Sequence, residues 1–137
     1  MRQKLSVLIW VLLGSILAVQ AQKIGDITFN KLPQDFQLVP RESTNLAAVP
    51  VSGAVTNSAV TGVSVRVLRN GSVFAYAKPA LAASKFSTSF SIRAELAEYD
   101  VEVYAFKGAD SSLVVRRKSV VAGDVYYVTG QSNAWIG

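Results

Sequence analysis

Histidine and cysteine are both absent from the 137 residues. Without cysteine there is no disulfide and no thiolate metal site. Without histidine the chain lacks the side chain that most often serves as general base near neutral pH. A strong charge of either sign is missing too. The chain has 14 Lys+Arg against 9 Asp+Glu. Arg2 and Lys4 fall in the first 21 residues, so the remainder has 12 cations against 9 anions, a net of +3. That excess is too small to argue nucleic-acid binding. No internal repeat and no low-complexity tract stands out. A domain of about a hundred residues with no disulfide must rely on its apolar core, burying roughly 60–70% of the unfolded chain's surface.

What is present begins with a secretory pattern. Arg2 and Lys4 make a positive n-region, Leu5 to Val19 an apolar h-region, and Val19-Gln20-Ala21 a small-residue end. This places cleavage before Gln22 and predicts a secreted or periplasmic protein. The alternative is a membrane anchor. The apolar stretch is short for a span of about 20 residues and ends in small residues and glutamines, so the cleaved signal is favoured, with no membrane association afterwards.

From Gln22 to Ala122 short apolar runs alternate with turn residues. Ile27-Thr28-Phe29 and Phe36-Gln37-Leu38-Val39 read as edge strands, limited by Pro33 and Pro40. Glu42 to Leu46 reads as loop. Ala47 to Val55 reads as a strand in which Pro50 marks an edge or a bulge. In Val63 to Ala77, Val63, Val65 and Val67 alternate with Ser64, Arg66 and Leu68, the period of a half-buried strand. Asn70-Gly71 tolerates the positive φ of a type I′ hairpin turn. Counted across that turn, Val67 faces Phe74 and Val65 faces Tyr76, which puts both aromatics in the core. Asn70-Gly71-Ser72 also fits a glycosylation acceptor; the turn accounts for the same residues and is favoured.

Lys85 to Ile92 alternates, with Phe86, Thr88, Phe90 and Ile92 on one face. Arg93 to Glu98 is too short for a stable helix and reads as a corner between strands. Tyr99, Val101, Val103 and Ala105 then alternate with Asp100, Glu102, Tyr104 and Phe106. Leu96 followed by Tyr99 at a strand start fits a tyrosine corner of an immunoglobulin-like sandwich. An ordinary half-buried tyrosine fits as well. Gly108 to Ser112 reads as a turn and Leu113 to Val121 as the last strand. Its Arg116-Arg117-Lys118 suits a solvated edge that blocks aggregation, more readily than an anion site. Strands at this spacing predict an all-β fold, an immunoglobulin-like antiparallel β-sandwich over 22–122.

The pattern changes at Gly123-Asp124. Val125-Tyr126-Tyr127-Val128 is a continuous apolar run, as expected of a strand buried on both faces in a parallel sheet. It leads into Gly130-Gln131-Ser132-Asn133. Gly130 has no Cβ to obstruct a sharp reversal, and Ser132 then stands at the carboxyl end of the strand, where open α/β sheets bind ligands.

Ala122 to Asn133 resembles the first conserved block of sialate O-acetylesterase-like carbohydrate esterases, which are SGNH (GDSL-like) hydrolases. That block commonly reads Gly-Gln-Ser-Asn after a strand opened by Gly-Asp or Gly-Glu, often behind an immunoglobulin-like or other β domain. The motif covers about a dozen residues; Ala134 stands where the family often has Met. The resemblance implies that 123–137 opens a flavodoxin-like α/β domain lying mostly outside these residues. Ser132 is then the nucleophile, and its N–H is one oxyanion donor. Gly130, Gln131 and Asn133 shape the turn. No metal or organic cofactor is implied. The implied partners are an acetylated glycan and the rest of the α/β domain. A serine hydroxyl needs a base, and no histidine is present, so these 137 residues alone are expected to be inert. Lys118 and Asp124 are weak substitutes. The alternative is a non-catalytic binding or scaffolding module. Its contacts would be Tyr104 and Phe106, unless these pack against the second domain.

Overall fold

The computed structural model describes residues 21–126, and all regular structure in them is strand. The strands are β1 (Gln22–Ile24), β2 (Ile27–Lys31), β3 (Leu38–Pro40), β4 (Leu46–Val55), β5 (Gly62–Arg69), β6 (Ser72–Ala77), β7 (Lys85–Arg93), β8 (Tyr99–Lys107) and β9 (Asp110–Gly123). They form a four-stranded sheet, β1-β2-β4-β7, and a five-stranded sheet, β3-β9-β8-β5-β6. Pairing is antiparallel except between β3 and β9, which run parallel. Among the described residues no helix is long and apolar enough to cross a membrane.

The period-2 pattern explains the core. On β7, Phe86, Phe90 and Ile92 are buried while the serines and end cations between them are exposed. On β8, Tyr99, Val101, Val103 and Ala105 point inward. Side chains from both sheets join one apolar cluster, which includes Ile27, Val49, Val65 and Val120. Burying that surface is the main favourable term in a chain without disulfides.

The middle of the four-stranded sheet depends on a glycine. Gly53 on β4 lies opposite Phe29 on one side and Phe86 on the other. The two rings meet edge to face, 6.2 Å between centroids. A Cβ on Gly53 would lie 2.5 Å from the carbonyl oxygen of Thr28. Pro50 is tolerated because β4 is locally an edge there. Pro50 pairs with Ser89 on β7, but pairing to β2 covers only Ser52 to Val55. A bulge between Phe29 and Lys31 marks where β2 departs. The expected edge or bulge is therefore both, the bulge lying in the partner strand.

Several sequence expectations need correction. β2 is not an edge, because β1 covers it. β3 does lie at an edge, but Phe36 precedes it, 79% exposed and with φ 59. Leu46 belongs to β4 rather than to the loop before it. The Asn70-Gly71 turn forms as expected, with φ of 47 and 83. The register beyond it differs. A bulge makes Phe74 the extra residue, so Val67 faces Ala75 and Val65 faces Ala77. One inserted residue flips everything after it to the other face. Tyr76 therefore lies outside the core at 57% exposure, and Phe74 is 38% exposed with its ring packed edge-on against Tyr99.

Further along, the turn between β8 and β9 is shorter than expected. Lys107 already pairs with Asp110 across Gly108-Ala109. Nor are the three cations of β9 a purely solvated edge. Arg116 pairs with Asp100 and Glu102, while Arg117 reaches Gln22 on β1 and Asp35. Lys118 is exposed, as Arg116 is, and its backbone N–H donates to Asp35 Oδ1.

Tyr99 is fully buried, which removes the half-buried alternative. Its hydroxyl donates to Glu95 Oε1 at 2.6 Å and accepts from the Arg93 N–H at 3.3 Å. The segment between β7 and β8 is thus a corner tied down by the first residue of β8.

Candidate functional site

The residues singled out for chemistry, Gly130, Gln131, Ser132 and Asn133, lie outside the described residues, as do Tyr127, Val128 and Ala134. The structure does show how the chain is directed towards them. β9 ends at Gly123 beside Pro40 of β3. The Arg41 N–H then donates to the Gly123 carbonyl at 3.0 Å. Arg41 Nε donates to Asp124 Oδ2 at 2.7 Å, and the Tyr126 hydroxyl donates to the same oxygen at 3.1 Å. The Arg41 guanidinium also contacts the Asn45 side-chain oxygen.

Arg41 sits on a turn closed by Glu42 N–H to Leu46 O and Asn45 N–H to Glu42 O. Asn45 adopts the left-handed conformation (φ 59) that asparagine tolerates better than most residues. The hydrogen bond and charge of Asp124 raise the Arg41 pKa above its ordinary value. Asp124 is accordingly occupied as an anchor, which argues against it as a substitute base. Val125 and Tyr126 are 78% and 80% exposed and lie in no strand; the rest of the run expected to form a buried strand lies outside the described residues. No described strand lies alongside to bury them.

The largest polar cluster among the described residues lies on the outward face of the five-stranded sheet. Register sets Glu102 of β8 between Arg66 of β5 and Arg116 of β9. Arg66 Nε and Nη2 reach Glu102 Oε2 at 2.8 and 2.6 Å, and Arg116 Nη1 lies 3.4 Å from Oε1. The Tyr104 hydroxyl accepts from Arg66 at 2.7 Å and donates to Glu102 at 3.0 Å. Glu102 is only 3% exposed although it sits on the face expected to meet water. Donors from Arg66, Arg116 and Tyr104 thus converge on this one carboxylate. Burial, and then the hydrogen bond to Glu102, push the Tyr104 phenol above its ordinary pKa. The hydrogen bonds to Glu102 and to Asp100 raise Arg66 and Arg116 respectively.

The row staples three strands, and sequence reasoning missed it. The charges alternate correctly, but which strands lie side by side is not written in any one of them. The same face holds Tyr104 and Phe106. Their rings are covered, Tyr104 by the Arg66 guanidinium at 5.2 Å and Phe106 by Lys78 Nζ at 4.3 Å. Neither offers a bare stacking platform.

Two hollows open on the surface of the described residues. One, of about 270 Å³, opens where β2 leaves β4, with Phe29, Val39 and Val49 on its floor and Gln37 and Pro50 in its wall. The other is acidic, flanked by Glu95, Glu98 and Asp100. Each of these carboxylates has a partner: Arg69, Ser119 and Arg116. Arg69, and then the Tyr99 hydroxyl, hold the Glu95 carboxyl down at about 2. Among the described residues no group of three or more His, Cys, Asp or Glu is arranged to hold a metal ion.

In comparisons with known proteins, no protein-family model, no curated protein and no solved structure matches the chain.

Proposed function

We propose that this chain is the leading part of an exported carbohydrate O-acetylesterase, similar to the sialate O-acetylesterase-like SGNH hydrolases, with Ser132 as nucleophile. The observation that carries the reading is the order of parts. An all-β unit closes at Gly123, and Gly130-Gln131-Ser132-Asn133 follows at once. The anchoring of Asp124 by Arg41 supports a fixed direction of exit towards that block.

The all-β unit is, on this reading, an immunoglobulin-like sandwich. Support comes from sheets ordered β1-β2-β4-β7 and β3-β9-β8-β5-β6, and from the parallel contact between an early strand and the last one. The Tyr99 hydroxyl turned back to the Arg93 backbone is the hydrogen bond expected of a tyrosine corner. Export rests on the sequence pattern of Arg2 and Lys4, the apolar Leu5 to Val19 and the small-residue end Val19-Gln20-Ala21.

In the proposed reaction Ser132 Oγ attacks the acetyl carbonyl of an acetylated sugar. The hydroxyl proton passes to a base, the sugar oxygen leaves with a proton, and water releases acetate from the acyl-serine. Since these 137 residues hold no histidine, the base comes from another segment of the protein. Gly130 provides the turn, Gln131 and Asn133 its flanks, and the Ser132 N–H one donor to the oxyanion. No metal or organic cofactor takes part.

The test is an acetyl-ester assay on the intact protein with an acetylated glycan. Ser132→Ala should lower kcat by about 10⁴–10⁶. An unchanged rate would place the nucleophile on another side chain.

A further inference from the structure

We propose that β6 is a docking edge for a second copy of this chain, the two copies pairing β6 to β6 antiparallel about a twofold axis. The inference is independent of the esterase reading. It starts from how the sheet edges are finished. An unpaired strand edge invites another strand, and proteins blunt such edges with charge, proline or shortness. β1 is three residues long and contains Lys23; β3 is three residues long and contains Pro40. β7 is longer but is bounded by Lys85 and Arg93, with serines along its exposed face. The part of β9 not covered by β3 contains Arg116, Arg117 and Lys118.

β6 has no charge, proline or shortness to guard it; its one irregularity is the bulge at Phe74. It reads Ser-Val-Phe-Ala-Tyr-Ala, with no charge, no proline and no glycine. Among the described residues it is the outermost strand of its sheet. Val73 and Tyr76 are 62% and 57% exposed, although both are residues that favour strands.

The bulge at Phe74 makes the strand self-complementary. Val73 lies opposite Leu68, and Tyr76 opposite Arg66, so both point to the outward face. Ala75 and Ala77 lie opposite Val67 and Val65 on the inward face. An antiparallel self-pairing centred between Phe74 and Ala75 sets Val73 of one copy across from Tyr76 of the other, twice. It sets Ser72 across from Ala77. Aromatic against β-branched is a favourable cross-strand pair, and each pair lies on one face. The nearest cation, Lys78, falls beside Gly71 of the other copy rather than beside its own counterpart. Its ammonium is turned over Phe106. The edge is thus neutral and matched to itself, and a strongly charged partner strand would find no counter-charge on it.

A six-residue strand pair buries less than the roughly 1,200 Å² of a standard stable interface. The dimer is therefore weak and concentration-dependent, and because the contact is isologous it closes at two copies.

Sedimentation of the intact protein over a range of concentrations tests the proposal, with Tyr76→Lys beside it. Tyr76 is exposed, so the substitution leaves the core alone. The unchanged protein should move reversibly towards twice its monomer mass. Tyr76→Lys should weaken that association roughly tenfold or more, since it removes two cross-strand pairs and places two cations in the interface. A Val73→Cys/Tyr76→Cys variant should form disulfides between copies, in a chain with no other cysteine. A monomer at every concentration, an association indifferent to Tyr76→Lys, or growth beyond two copies would overturn the proposal. Protection of the β6 amides in a strict monomer would show that another segment or another protein covers the edge, and would also overturn it.

Discussion

The row through the middle of the four-stranded sheet is Phe29–Gly53–Phe86, facing inward. The row through the middle of the five-stranded sheet is Arg66–Glu102–Arg116, facing outward. The first is held by close approach, with no space left for a methyl group. The second is held by charge, on arginines that keep more than a third of their surface in water. The two sheets share one core, yet their central strands are joined by opposite means. The first should therefore be sensitive to volume and indifferent to salt, and the second the reverse.

The largest expected effect comes from Gly53→Ala. Its Cβ would lie 2.5 Å from backbone and 3.3 Å from the Phe86 ring. We expect a loss of about 3 kcal/mol, as for overpacking of a tight core, read as a lower urea midpoint with an unchanged slope. An effect below about 0.5 kcal/mol would mean that β2 and β4 can separate freely there. Glu102→Gln tests the other row. It keeps the volume and removes the charge, and the partners are partly solvated, so about 1 kcal/mol is expected. That difference should shrink as salt screens the arginines, whereas the Gly53→Ala difference should not. A Glu102→Gln effect that salt leaves unchanged would remove the contrast.

The smallest expected effect lies at the corner joining the sheets. Glu95 sits on Arg69 and Tyr99, and its carboxyl is lowered from 4.5 to about 2. A lowered folded-state pKa stabilises the fold above the unfolded value near 4.5 and is lost as pH falls towards 2. Stability measured across that window should fall less steeply in Glu95→Gln than in the unchanged protein. Parallel slopes would show that other carboxylates carry the acid response.

These contrasts also explain what could be read in advance. The alternation in β5, β7 and β8, the Asn70-Gly71 turn and Tyr99 at a strand start are local patterns, and local patterns survive in a single sequence. Phe74 is different. Nothing in Ser-Val-Phe-Ala-Tyr-Ala announces that one residue will bulge, and the register beyond it reversed. Glu102 looked solvated for a similar reason: its burial comes from Arg66 and Arg116 on two other strands. Pro50 was legible as a defect, but the gap that accommodates it lies in β2. Of the candidate site, the Gly130-Gln131-Ser132-Asn133 block is a sequence pattern, and the described residues end at Tyr126, just past the anchor at Asp124.

The claim that Ser132 is an activated nucleophile is tested most directly by covalent trapping. The intact protein would be treated with a phosphonylating probe that reacts only with activated serines, then digested and mapped by mass spectrometry. The account predicts a single adduct on the peptide containing Ser132, absent when an acetylated glycan is present in excess. An adduct on a different residue, or none in a preparation that releases acetate, would contradict it.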